Sequence, residues 1–307
     1  MSPPQIAAAS EVMRTTGWAD YALLDSGHGR KLEQYGPYKV VRPEPQCLWT
    51  PRLPQSVWDD ADAVFDPSDE EDAGRWRFKG QPVESWPLGW GAARFHGRFT
   101  AFRHLAFFPE QAANWAWLDG KVRAAVASEA GEQTKVLNLF GYTGVASLVM
   151  AAAGAAVTHV DASKKAVAWA RENAELSGFS DRPIRWIVED AKKYVQREVR
   201  RGSKYDGIIL DPPKYGRGPD GQVWRLFEDL PELASLCAEL LSENAGFLVL
   251  NAYAERISGA ALAGLLAEKL ERRSGRIEWG ELALEEQRGD RAIGMSFYAR
   301  WSSGDGT

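Results

Sequence analysis

From Gln111 onward, short aliphatic runs alternate with helical stretches, and this alternation most constrains what the chain can fold into. The strand candidates are Val136–Leu139, Val157–Asp161, Ile184–Val188, Gly207–Leu210 and Phe247–Asn251. Between and around them lie helix candidates at Ala112–Ala130, Val145–Ala153, Ser163–Ser177, Ala191–Arg201, Trp224–Leu241 and Ala260–Arg272. Strands that alternate with helices pair parallel, and the helices cover both faces of the sheet. Two further extended runs, Arg276–Leu284 and Met295–Trp301, are joined by the polar loop EEQRGDRAIG and fit an antiparallel pair closing one edge. The expected fold is therefore α/β, with seven strands of which the last pair is antiparallel.

The preceding part reads differently. Trp18 to about Pro109 is rich in proline, glycine and aromatic residues, and eight of the 13 tryptophans lie at or before Trp117. Tyr38–Val41 and Gly97–Phe102 read as strands, and the prolines at 43, 45, 51 and 54 punctuate loops. Asp59 to Asp72 carries eight acidic residues and no basic one, the composition of an exposed loop. The expected organisation is a smaller β-rich domain over 1–110 and an α/β domain over 111–307, with a frayed SSGDGT end.

Composition excludes some functions. No apolar run is long enough to span a bilayer, and the first residues lack a basic start followed by an apolar core. Cys47 and Cys237 are far apart, the four histidines are scattered, and none sits at a metal-ligand spacing. A cytoplasmic, metal-free protein is expected. A net charge of -5 argues against coating nucleic acid by bulk charge, though not against a local basic surface.

The chemistry-bearing residues fall at successive strand ends. The first strand enters Asn138-Leu-Phe140-Gly141-Tyr142-Thr143-Gly144. Glycines there let a ligand approach the backbone, but two are fewer than the GxGxxG of a pyrophosphate cradle. Alone, the segment is equally a tight strand-to-helix turn. The second strand ends at Asp161-Ala162-Ser163. An acid about 20 residues past such a turn is placed to accept hydrogen bonds from ribose hydroxyls. Asp161 is also a candidate helix cap, although Ser163 can fill that role. Turn and acid together imply an adenosine-type ligand. After the third strand, Asp190 is either a cap or an acceptor for an adenine amine, with Ala191 beside it.

The fourth strand runs into Asp211-Pro212-Pro213-Lys214-Tyr215-Gly-Arg217. Proline fixes φ and removes a donor, so the prolines stiffen the loop with their carbonyls turned outward. Such an edge accepts hydrogen bonds from a planar amine, and Tyr215 can stack on its ring. Lys214 and Arg217 are candidate phosphate contacts.

In this order, LNLFGYTG, VDASKKAVAWARENAELSG, VEDA and DGIILDPPKYGRG resemble the class I S-adenosylmethionine-dependent methyltransferases. In particular they resemble the bacterial large-subunit ribosomal RNA base methyltransferases marked by DPPK followed by Phe or Tyr. FFPEQAANW (Phe107–Trp115) and RPEPQCLW (Arg42–Trp49) extend the likeness over most of the chain. The resemblance implies a Rossmann-like sheet and S-adenosyl-L-methionine as cofactor. It further implies that Asn138, Phe140, Gly141, Tyr142, Thr143 and Gly144 line the methionine end. Asp161 would hold the ribose, with Ala162, Ser163, Asp190 and Ala191 around the adenine and Asp211 at the reacting face.

Two departures bear on the acceptor. Methylating carbon 5 of cytosine needs a thiolate to attack the ring. Relatives with that activity carry a cysteine after the fifth strand, where this chain has Asn251-Ala-Tyr253-Ala. Cys237 reads as core, and no separate, strongly basic RNA-binding module precedes the α/β part. A basic stripe, Lys193, Arg197, Arg200/Arg201 and Lys204, recurs at helical spacing, and Ala191, Val195 and Val199 are expected to face inward. The expected reaction is direct, metal-free methyl transfer to a nitrogen of a single-stranded or flipped ribosomal RNA base. Asp211, Pro212, Lys214 and Tyr215 would serve the acceptor. A protein side chain or small molecule as acceptor, a nicotinamide-dependent oxidoreductase, and a non-catalytic RNA-binding module remain alternatives.

Overall fold

Period-two alternation decides which side of each strand meets which helices. The computed structural model describes residues 3–16, 18–68, 74–128, 133–253 and 256–304. The chain divides into two units. One comprises Met1–Met13, Asn114–Leu282 and Ser296–Thr307; the other comprises Arg14–Ala113 and Ala283–Met295. This differs from the sequential division expected at residues 110 and 111. The cause is long-range pairing: Gln5–Ile6 runs parallel to Arg276–Ile277, and Glu11–Thr15 also pairs with Arg276–Glu285. An otherwise open sheet edge thereby gains partners for its backbone polar groups.

In chain order the α/β elements are α1 (Ala112–Ser128), β1 (Lys135–Leu139), α2 (Val145–Ala153), β2 (Ala156–Asp161), α3 (Lys164–Leu176), β3 (Ile184–Val188) and α4 (Ala191–Arg200). They continue with β4 (Gly207–Leu210), α5 (Leu226–Leu240), β5 (Phe247–Ala252), α6 (Gly259–Lys269), β6 (Arg276–Glu285) and β7 (Ala292–Ser302). The strand order is β3-β2-β1-β4-β5-β7-β6. Strands β1 to β5 pair parallel, and β7 runs antiparallel to β5. The seven expected strands are therefore present, with the two short amino-terminal strands added beyond β6. Strand order reverses between β1 and β4, where open α/β sheets bind ligands at the carboxyl ends of their strands.

Leu137, Leu139, Ile208, Leu210, Leu248 and Leu250 face one side of the sheet and pack with Tyr194, Leu230, Leu233, Leu262 and Leu266 of α4 to α6. Val136, Val157, Ile209 and Val249 face the other and meet Leu118, Val122 and Met150 of α1 and α2. Each such fully buried aliphatic side chain contributes about 1.5–3 kcal/mol. Capping sets several helix starts. Ser163 accepts from Ala166 N at 3.2 Å, Asp190 from Lys193 N at 2.9 Å and Ser258 from Ala261 N at 3.2 Å.

One expected boundary is corrected. The helix expected from Trp224 starts at Leu226, because Tyr215–Arg217 and Val223–Arg225 form an antiparallel hairpin between β4 and α5. Trp224 leaves the helix to donate its indole N–H to the Pro213 carbonyl at 2.7 Å.

The second unit carries a five-stranded sheet of Tyr21–Gly27, Arg30–Tyr35, Tyr38–Pro43, Ala63–Pro67 and Gly74–Phe78, and a separate pair, Ser85–Trp90 with Ala93–Arg98. The strand expected at Gly97–Phe102 instead ends at Arg98. Beyond it the Thr100 hydroxyl accepts from Phe102 N at 3.1 Å and closes a turn. The acidic run is only partly a loop. Asp59 ends a short helix, and Asp66 lies in Ala63–Pro67 and pairs with Arg77. Asp60 pairs with Lys39 and Lys79, while residues 69–72, like 305–307 of the expected frayed end, lie outside the described residues.

A buried ion pair sits inside this sheet. The Arg42 guanidinium donates to both Glu33 oxygens at 2.7 and 2.8 Å, and the Tyr21 and Tyr35 hydroxyls donate to Oε1 at 2.9 and 3.1 Å. Burial works to raise the Glu33 pKa, but the Arg42 and Lys31 charges and the donated hydrogen bonds outweigh it and bring it from 4.5 down to about 2. A depressed carboxylate pKa stabilises the fold fully above 4.5, and that contribution is lost as pH falls through about 2. Arg42→Met strands the buried carboxylate and is expected to cost about 3–5 kcal/mol in urea unfolding. Glu33→Gln is expected to flatten the wild-type loss of stability between pH 4.5 and 2.

Candidate functional site

The turn after β1 is conformationally costly. Phe140, Tyr142 and Gly144 have φ of 57°, 48° and 83°, so two aromatic residues occupy the left-handed region. Each such residue costs on the order of 1–3 kcal/mol and persists only where its surroundings enforce it. Here they do. Gly141 N donates to Val160 O at 3.0 Å and Gly144 N to Gly141 O at 2.9 Å. Tyr142 N donates to Asp161 Oδ2 at 2.8 Å, and Asn173 Nδ2 to Thr143 O at 2.9 Å. The Phe140 ring packs on Trp224 with centroids 4.9 Å apart.

Below the turn lies a polar cluster. Asn138 Nδ2 donates to Ser147 Oγ at 2.9 Å, and Ser147 Oγ lies 3.0 Å from His159 Nδ1. The ring thus meets the serine hydroxyl through Nδ1, while Nε2 is buried. Burial drives the His159 pKa from 6.5 to about 3, so the ring is neutral. A Cβ on Gly141 would stand 2.4 Å from His159 Cε1. Glycine is required there by close packing rather than by φ.

Asp161 ends β2. Its Oδ2 holds Tyr142 N and its Oδ1 holds Ser163 N, each at 2.8 Å. A carboxylate has about four lone-pair directions, so these two bonds do not exhaust either oxygen. Burial raises its pKa, and the two backbone donors offset part of that rise. Ser163, not Asp161, caps α3. Asp190 spends Oδ1 on the cap of α4 and keeps Oδ2. Ala162 is half-buried, whereas the Ala191 side chain is packed in the core.

Register brings these residues into one row. Leu139 pairs with Val160 and Leu210, Asp161 with Val188, and Leu210 with Leu250. Asp190, Asp161, Phe140, Asp211 and Asn251 therefore stand at adjacent carboxyl ends. After Asp211, Pro212 is buried while Pro213, Lys214 and Tyr215 are exposed. The expected outward carbonyls are corrected in part: Pro213 O accepts the Trp224 indole, and Lys214 O accepts Leu226 N at 3.0 Å. The loop is thus a pinned edge.

Sequence reasoning missed the support residues Ser147, His159, Asn173 and Trp224, each joined to the turn from a different element. It also missed Asn114, whose amide donates to Asn251 Oδ1 at 2.9 Å. The basic stripe is largely neutralised. Lys193 pairs with Asp220, Arg197 with Glu189 and Arg201 with Glu198, and Lys204 donates to Glu239 O. Cys47 and Cys237 are fully buried, and burial pushes both thiols up, Cys47 to about 11. Neither is a ready nucleophile.

The turn can be tested directly. Gly141→Ala is expected to lower stability by about 1–3 kcal/mol through overpacking against His159, read by thermal unfolding. His159 stays neutral in the fold while the unfolded chain takes up a proton near 6.5. Its contribution is full above that value and is lost as pH falls towards about 3. His159→Gln is expected to flatten stability against pH in that window.

Residues 118–239 match the family described as Conserved hypothetical protein 95. Over 137 residues the chain is 31% identical to ribosomal RNA large subunit methyltransferase K/L of Shewanella frigidimarina, covering 44% of this chain and 19% of that protein. Over 100 residues it is 33% identical to ribosomal RNA large subunit methyltransferase I of Alteromonas mediterranea, covering 32% of this chain and 25% of that protein. The chain thus spans a quarter or less of the length of these curated relatives. The crystal structure of a SAM-dependent methyltransferase from Agrobacterium tumefaciens matches over nearly the whole length. Identity is 49%, coverage is 99% of this chain and 96% of that one, and the TM-score is 0.93. A relative so similar over both full lengths fixes the family: the chain belongs to the S-adenosylmethionine-dependent methyltransferases.

Proposed function

We propose that the chain methylates a nitrogen of a ribosomal RNA base, with S-adenosyl-L-methionine as donor. The observation that carries this reading is the placement of Asp211, at the end of β4, directly beside the Phe140–Gly144 turn at the end of β1. The donor set fits the cofactor. Asp161 has a spare lone pair on each oxygen for two ribose hydroxyls, and Asp190 has one oxygen left for an adenine amine. The turn 138–144 contains no lysine or arginine, which suits a ligand without phosphate. Asn138, Phe140, Gly141, Tyr142, Thr143 and Gly144 would border the methionine end, with Ala162, Ser163 and the backbone of Ala191 near the adenine.

Bound there, the cofactor supplies an electrophilic methyl group on a sulfonium. The protein's task is positioning. Asp211 accepts a hydrogen bond from the base nitrogen, aims its lone pair at the methyl group, and is the acceptor for the proton that nitrogen must lose. Pro212 and Pro213 keep this edge from relaxing, Tyr215 stacks on the flipped ring, and Lys214 meets the adjoining phosphate. The DPPKY sequence resembles the DPPK[FY] branch, and the names of the curated relatives favour large-subunit ribosomal RNA as substrate. No thiol at the end of β5 favours nitrogen over carbon 5 of a pyrimidine.

Nucleoside mass spectrometry of ribosomal RNA from cells with and without the gene is expected to show loss of one N-methylated nucleoside. Label transfer from the cofactor to protein extract but not to RNA would overturn the RNA reading. Asp211→Ala is expected to lower kcat by about 10²–10⁴ while cofactor affinity, read by calorimetry, is kept. Full turnover by that variant would remove Asp211 from the reaction.

A further inference from the structure

We infer that the outward face of the hairpin between β4 and α5 is a platform for a single-stranded RNA segment flanking the methylated base, an inference that rests on the proposed RNA reading. Antiparallel register sets Tyr215 opposite Arg225 and Arg217 opposite Val223. Side chains alternate along a strand, so these four share one face, and all four are exposed. Gly216 and Trp224 take the other face, where Trp224 is buried against Phe140 and bonded to Pro213 O. Phe227, in the first turn of α5, is exposed next to them.

The composition of this face identifies its ligand. Tyr215, Val223 and Phe227 are 51%, 48% and 57% exposed, an apolar surface that solvent alone does not favour. Two guanidiniums alternate with these side chains, on a protein whose net charge is -5. Aromatic faces stack bases of any sequence, Phe227 a flanking base next to the flipped one on Tyr215, and arginines between them meet the intervening phosphates or stack in turn. The nearby acids leave that charge available. Glu228 pairs with Arg225 at 3.2 Å with both side chains mostly exposed, a pair of little strength that a phosphate can replace. Asp220, at the hairpin tip, is engaged by Lys193 at 2.9 Å, while Arg217 reaches the Tyr215 hydroxyl at 3.3 Å.

The platform is also fixed in place. Trp224 links its inner face to both Phe140 of the turn and Pro213 of the acceptor loop. A strand gripped outside is thereby held in register with Asp211, four residues before Tyr215. That geometry suits an enzyme that must feed one unstacked base inward while its neighbours remain bound.

The test uses the full-length protein, a labelled single-stranded RNA 12-mer for binding, and ribosomal RNA from cells lacking the gene for methyl transfer. Arg217→Gln with Arg225→Gln is expected to raise Kd and RNA KM about tenfold. It should reduce the salt slope of binding by about 1.4, at ~0.7 per phosphate released. Phe227→Ala is expected to weaken RNA binding by about fivefold or more through lost stacking. In each case saturating kcat, cofactor affinity and thermal unfolding should stay near wild type. Wild-type RNA affinity and salt slope in these variants, with methyl transfer to RNA intact in the unmodified enzyme, would overturn the platform and leave the RNA reading standing. An equal loss in Arg272→Gln, a 94% exposed side chain in the turn after α6, would show bulk charge instead and also overturn it. An unmodified enzyme that methylates only protein or small molecules would overturn both.

Discussion

The site depends on one carboxylate. Asp161 holds the Tyr142 amide with one oxygen and the Ser163 amide with the other. The first bond pins a residue in the left-handed region; the second fixes the start of α3. The first joins the Gly141 and Gly144 backbone bonds and the Asn173 amide in holding two aromatic residues at positive φ. Because each oxygen holds a backbone donor, the carboxylate is oriented before any ligand arrives. Its remaining lone pairs then keep a set direction.

Around that clamp the support is apolar or neutral. His159 could have been a charge under the turn, but complete burial keeps it uncharged, with its Nδ1 held against the Asn138–Ser147 pair. Gly141 then sits against the ring at a distance that excludes any side chain. The carboxylates Asp161, Asp190 and Asp211 stand instead at the sheet's edge. A sheet covered on both faces by aliphatic side chains has no other place for groups that must stay polar and reach a ligand. The position of the site therefore follows from the same alternation that builds the core.

That alternation is also why the α/β sheet was legible. Ile184–Val188 and Gly207–Leu210 were read with their observed bounds, and Ser163 was correctly weighed as a cap. These signals are local: a period, a capping side chain, a glycine. What was not legible is non-local. Gln5–Ile6 pairs with residues about 270 positions away, and nothing in a two-residue run announces a strand. Ser147, His159 and Asn173 look like ordinary helix and strand residues until the fold brings them under one turn. The acidic run misled for the opposite reason. Composition favoured a loop, but Asp66 finds a cation, Arg77, on the neighbouring strand and so tolerates a place in a strand.

The hairpin between β4 and α5 joins these two lessons. Its strands are three residues each and are separated by GPDGQ, so locally it reads as loop. Trp224 makes it a structure. An indole needs both an apolar contact and an acceptor when buried, and Phe140 with the Pro213 carbonyl supplies both. Satisfying that one side chain draws the segment out of the helix, forces strand alternation on its neighbours, and turns Tyr215, Arg217, Val223 and Arg225 together to the outside. The carbonyl that Trp224 takes is one of those the sequence reading had left pointing outward. The Pro213 carbonyl is therefore withdrawn from the exposed edge of the loop. With Trp224 buried on one face, alternation leaves Tyr215, Arg217, Val223 and Arg225 side by side on the other.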